Sequence, residues 1–398
     1  MPKTAPLHLL LFRHPKDPDG QLYEEAIARA FQGGKNAGGY LATGEDLGVQ
    51  WQLFEGRPLS PATAILDGFC HTVTVVLLDA ELLRKTDESL WDWLADCWTA
   101  TRNSNGRHAM LVVAMDERTG DAFLRRRPQF ETLQLLQVHA LGERAIRPTM
   151  LALRLLHQCR ILLATALPGA RDDKPGYLRL LVSHAKLDGL PLAHALKHQI
   201  EALGWLEDFY DADDLPPGCD WQRELERGVG SSLIVMLRTE AYDGRRWCQQ
   251  EVLWADEYAT PAVLVDARTN LNHPAGTLPF DRVPSVRIPD GNLIRILFVA
   301  LREGLRFLLF VRRVEQMKRD RELPSPAELR VFCFPPSMSA LLKACRSLAK
   351  SKDPQRLILY PDPPLRSGQY EAAQALVSAY APGTSLLTPQ TLAATVAT

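Results

Sequence analysis

The chain has 398 residues, 46% of them hydrophobic and 23% charged, an ordinary globular composition on a length too great for one core, so two or three domains are expected. With 46 basic and 47 acidic residues the net charge is −1, and no global field argues for nucleic acid or a membrane surface as a partner. Seven cysteines fall on no Cys-x-x-Cys or His-rich spacing, which argues against a zinc site or a disulfide framework and fits a reducing cytoplasm.

In chain order, the amino terminus lacks the apolar stretch of a signal peptide. Residues 7–12 read as a strand that runs into a loop rich in His, Lys and Asp, followed by a helix from about Gln21 to Phe31. After the glycine-rich stretch 33–39 come a strand at 49–54, the apolar run 73–78, a Trp-rich helix at 91–98 and a strand at 110–114. An apolar helical stretch then begins near Ile146.

The same layout returns. An apolar run from Tyr177 predicts a strand ending at Val182, because it stops at Ser183-His184-Ala185 and a charged turn, the way a buried parallel strand delivers its carboxyl end to a loop. A helix at 190–200 follows, then a loop with Asp213, Asp214, Pro216, Pro217 and Gly218 ahead of Trp221. The apolar run 233–237, the helix of Trp247 and Glu251, the strand 261–265 and an apolar helix from Leu293 complete it. Arg154, His157 and Arg160 interrupt the first of the two apolar helices, and Arg295, Arg302, Glu303 and Arg306 the second; both read as buried helices and not as bilayer spans.

Residues 1–165 and 175–320 therefore read as two divergent copies of one α/β unit, with an unrelated doubly wound domain as the alternative for the first. Aligning Trp91 with Trp247 sets Ala95 opposite Glu251, and the first copy has no counterpart of the Pro-Pro-Gly loop, so it carries no catalysis. The remaining segment, 324–398, reads as two strands and two helices, too little for a core of its own, so it is expected to dock on the preceding domain or on a neighbouring chain.

Four pieces in order carry a family resemblance: the strand with Ser183-His184-Ala185, the loop of Asp213 to Gly218 before Trp221, the apolar strand at 233–237, and Trp247-Cys248-x-x-Glu251. Together they resemble the Toll/interleukin-1 receptor (TIR) domains in their bacterial form. The resemblance implies a flavodoxin-like parallel sheet over 175–320, preceded by a degenerate TIR-like copy. It also implies cleavage of NAD⁺, with Glu251 as the catalytic carboxylate and Ser183, His184, Ala185 and Trp247 lining the substrate. In this reading Asp213, Asp214, Pro216, Pro217, Gly218 and Trp221 form a loop that contacts other TIR domains, with a homo-oligomer expected. NAD⁺ enters as substrate, with no further cofactor and no metal. A cytoplasmic effector of bacterial antiviral defence is implied, and the alternative is a TIR scaffold without catalysis.

Overall fold

Apolar runs alternating with half-apolar helices are the pattern of parallel strands covered on both faces, and the chain follows it throughout. The computed structural model describes residues 5–32, 46–84, 88–165, 179–206, 209–210, 221–270, 283–288, 291–319, 323, 328–350 and 356–396. Its contacts divide the chain into two units, Met1–Gly176 and Tyr177–Thr398.

In the first unit β1 (His8–Phe12), α1 (Pro18–Gln32), β2 (Gln50–Phe54), α2 (Ala62–Asp67), β3 (Thr72–Leu78), α3 (Ala80–Arg84) and α4 (Glu88–Arg102) lead to β4 (His108–Ala114), α5 (Glu117–Arg126), β5 (Leu136–Gln137) and α6 (Arg147–Thr165). The strands pair in the order β2-β1-β3-β4-β5, all parallel. Leu10, Phe12, Val76, Leu78, Met110 and Val112 share one sheet face, where they pack against Trp91, Trp93, Leu94 and Cys97 of α4. α1 and α6 pack on each other.

The second unit begins with β6 (Leu180–His184), α7 (Leu190–Leu203), β7 (Phe209–Tyr210), α8 (Trp221–Ser231), β8 (Leu233–Arg238) and α9 (Arg246–Glu257). It goes on through β9 (Ala262–Asp266), β10 (Ser285–Arg287) and α10 (Leu293–Arg319). The sheet order is β7-β6-β8-β9-β10, parallel throughout. The protein is thus α/β with parallel flavodoxin-like sheets. Both five-stranded sheets share one topological order, with the second strand outside the first; many doubly wound folds have this order, so it does not by itself make the first unit a copy of the second.

β6 extends two residues beyond the expected end at Val182. Ser183 and His184 remain in the ladder, opposite Met236 and Leu237 of β8. Two polar residues in a row read as the start of a loop, but a neighbouring strand of matching length holds their backbone groups in the sheet.

The carboxyl-terminal part is also larger than expected. It comprises β11 (Leu329–Val331), α11 (Met338–Leu348), β12 (Arg356–Leu359), α12 (Ser367–Tyr380), β13 (Thr384–Leu387) and α13 (Pro389–Val396), with a parallel sheet of order β11-β12-β13. The missed third strand is only four residues long, between Gly383 and Pro389, too short for its period to register. One face of this sheet, with Leu357 and Leu359, packs on Phe310, Val314 and Met317 of α10, and the other, with Ile358 and Tyr360, packs on α11 and α12. Two of the charges inside α10 pair with each other: Glu303, 4% exposed, accepts Arg306 at 2.6 Å, and Arg306 also donates to the Cys333 carbonyl at 2.8 Å. Among the described residues no helix is long and apolar enough to cross a membrane.

Candidate functional site

The site forms where β6 ends beside α9. Strand alternation sends Leu181 and Ser183 to the sheet face that α8 and α9 cover, and Leu181 lies in the cluster with Cys248, Val252 and Ala255 of α9. Glu251, one turn after Cys248, arrives on that face and is 7% exposed. A carboxylate so buried needs hydrogen bonds to replace lost water. The Ser183 hydroxyl donates one to its Oε2.

Ser183 is linked in turn to Tyr242. The two hydroxyl oxygens lie 2.6 Å apart, and the Tyr242 side chain is fully buried. Burial, and then the negative charge of Glu251, hold the phenol well above its ordinary range, so Tyr242 stays a neutral hydroxyl. The same two causes push the Cys248 thiol up to about 12, which removes it as a nucleophile near neutral pH.

Tyr242 sits in a short 3₁₀ turn, Tyr242–Gly244, fixed from both sides. Arg238 and Asp243, both largely buried, pair through the guanidinium fork, with Arg238 Nε 3.0 Å from Asp243 Oδ1, and Gln249 of α9 donates to the Asp243 carbonyl at 2.6 Å. After β6, the turn closes as the Gly189 amide donates to the Ala185 carbonyl at 2.8 Å. A Cβ at Gly189 would lie 3.0 Å from that oxygen and 3.2 Å from the Ala185 nitrogen, so the close approach favours glycine.

The structure divides the expected site residues. Ser183 and Glu251 meet, and the buried Ala185 joins their apolar surround. His184 faces the other side of the sheet, because β6 runs through it and adjacent residues alternate; its Nδ1 lies 3.2 Å from the Val182 carbonyl oxygen. Trp247, one turn before Glu251, is 39% exposed at the start of α9, with the Arg246 guanidinium 6.0 Å from its ring centroid. Asp213, Asp214, Pro216, Pro217 and Gly218 lie outside the described residues, and of Trp221 only the backbone, as the first residue of α8, lies within them. In the first unit α4 takes the place of α9 between the third and fourth strands, and Ala95 packs against the apolar cluster with no carboxylate there.

Residues 181–284 match the family model of the TIR domain. The chain carries a TIR domain. The match opens within β6, closes just ahead of β10, and includes Ser183, Tyr242 and Glu251. It spans roughly a quarter of the chain, leaving the first unit, α10 and the carboxyl-terminal sheet outside it. No curated protein matches the chain.

Sequence reasoning missed Tyr242 and Asp188. The signal for the first was an aromatic residue in a polar turn directly after a buried strand, a position where a tyrosine needs both an apolar bed and a hydroxyl partner. Asp188 gave no such signal. It acts through Thr239 and Ala241, which only folding brings near. Among the described residues no group of three or more His, Cys, Asp or Glu side chains is set to hold a metal ion.

Proposed function

We propose that the TIR domain is an NAD⁺ nucleosidase with Glu251 as its catalytic carboxylate. The observation that carries this reading is a glutamate 7% exposed at the carboxyl end of a parallel strand, held by the Ser183 hydroxyl. Ligands of open α/β sheets bind at that end of the strands. An isolated surface glutamate would support nothing of the kind.

The reaction asks little of the protein. The bond between ribose C1′ and the nicotinamide nitrogen breaks, its electron pair goes to the ring, and the ring leaves neutral, so no general acid is needed. C1′ becomes oxocarbenium-like, and a fixed carboxylate stabilises that charge. Water then bonds to C1′ and gives up a proton, yielding ADP-ribose; a second nucleophile within the substrate yields a cyclic product. Ser183, His184 and Ala185 at the end of β6 border the substrate in this reading, with the half-exposed Trp247 at the rim.

Contact with other TIR domains, with activity dependent on assembly, is a second component of this reading, and the exposed apolar side chain of Leu253 on α9, 44% exposed, offers surface for it. A scaffold without catalysis would share such contacts. Effector action in bacterial antiviral defence, in the cytoplasm, completes the reading, with residues 1–165 a degenerate TIR-like copy, the TIR domain at 175–320 and a small segment at 324–398. The shared strand order supports that ancestry.

Purified full-length protein, concentrated or crowded, is incubated with NAD⁺ and nicotinamide release is followed, with product chromatography to separate linear from cyclic ADP-ribose. Glu251→Gln should abolish release. Equal activity in wild type and variant removes Glu251 from the mechanism, and intact NAD⁺ with concentration-dependent oligomers leaves the scaffold.

A further inference from the structure

We propose that Tyr242 is a positioning residue for Glu251, acting through Ser183 as the far end of a directed chain of hydroxyl donors. This deepens the nucleosidase reading and rests on it for its kinetic consequences. The geometry fixes the direction. An ionised carboxylate only accepts, so the single proton of Ser183 is committed to Glu251 Oε2, and the 2.6 Å contact between Ser183 and Tyr242 then requires Tyr242 to donate. The sequence Tyr242 O–H to Ser183 O–H to Glu251 has one arrangement of protons.

Two features make this chain more than packing. Each donor polarises the next, so a phenol behind the serine strengthens the serine's bond to the carboxylate. The phenol is also held rigidly, with its ring fully buried and its turn fixed by Arg238, Asp243 and Gln249. The two hydroxyls thereby favour the charged form of the carboxylate and fix the position of its Oε2.

The experiment is a double-mutant cycle on the full-length protein with Tyr242→Phe, Ser183→Ala and the double variant. Tyr242→Phe keeps the ring and removes one neutral hydrogen bond, so kcat/KM should fall about 2- to 10-fold, carried by kcat and not by KM, with the acidic limb of the pH profile moved to higher pH. In the Ser183→Ala background, Tyr242→Phe should cost nothing further, because the relay is already cut; a purely structural tyrosine would give additive losses. A second readout needs no turnover: the carbon-13 signal of the Glu251 carboxyl should titrate at higher pH in Tyr242→Phe than in wild type. An unmoved titration, or additive losses, overturns the proposal. Absence of NAD⁺ cleavage by wild type overturns the nucleosidase reading alone, and the carboxyl titration then still decides the relay.

Discussion

The carboxylate of Asp188, in the turn after β6, accepts from the Thr239 hydroxyl at 2.6 Å and so ties together two loops 51 positions apart in the chain. Its second oxygen accepts from the Ala241 amide at 2.9 Å. The loop it holds is the one that carries Tyr242, so Asp188 acts on the site without touching Glu251. Asp188→Ala removes both bonds at an exposed position, with an expected stability cost of about 1 kcal/mol. Nicotinamide release should fall several-fold more than that cost accounts for, since misplacement of a supporting loop acts on geometry. Thr239→Val, which spares the Ala241 contact, should lose less. Activity and urea midpoints measured together check both statements.

The end of α9 is clamped by α11. Ser337 caps α11 by accepting from the Ala340 amide at 3.0 Å and donates to Asp256, a carboxylate 7% exposed; Ser339 reaches the same oxygen at 3.1 Å. Lys343 pairs with Glu257 at 2.6 Å. Ser337→Ala loses a cap and a buried partner and should destabilise the second unit by about 1–3 kcal/mol. Lys343→Ala breaks an exposed pair and should cost under about 1 kcal/mol. Chemical denaturation would contradict this ordering if the lysine change proved the larger.

Acid should weaken the first unit before it touches most carboxylates. Burial pushes His8 and His108 down to about 4, with Arg107 adding to the effect at His108. An unfolded histidine takes a proton near pH 6.5, so between 6.5 and about 4 the unfolded chain binds more protons and stability falls as pH drops. Above 6.5 neither state is protonated and the effect vanishes. Roughly a few kcal/mol for the pair are at stake. His8→Phe, which keeps a ring beside Phe69 at the present 3.8 Å centroid separation, should flatten the slope. Melting curves from pH 7 to 4.5 read it directly.

Thiol chemistry should respect burial. Cys97 is pushed up to about 11 and Cys248 to about 12, chiefly by desolvation, and both are almost fully buried. Iodoacetamide at pH 7.5 should leave these two unmodified in native protein, while the half-buried Cys70 reacts first of the three. Peptide mass mapping gives the order, and labelling of Cys248 ahead of Cys70 would contradict the packing around Glu251.

Much of this fold was legible because parallel strands covered on both faces announce themselves as apolar runs. Val73 to Leu78 and Leu233 to Leu237 lie within β3 and β8, both buried along their whole length. The end of β6 was not legible, since Ser183 and His184 look like loop until β8 is seen beside them. β13 escaped for the opposite reason: four residues carry too little pattern, and the pairing with β12 makes them a strand.

Local chemistry and chain rhythm alone determined that α/β units recur, that a parallel sheet delivers Ser183 to its carboxyl edge, and that Glu251 sits one helical turn after Trp247. Which groups face the carboxylate was decided in three dimensions. Alternation along β6 turned Ser183 toward α9 and His184 away from it, and a buried tyrosine 59 positions from that serine supplied the donor behind it. Side-chain direction depends on where a strand stops and what lies against it, and neither is a property of the residues taken in order.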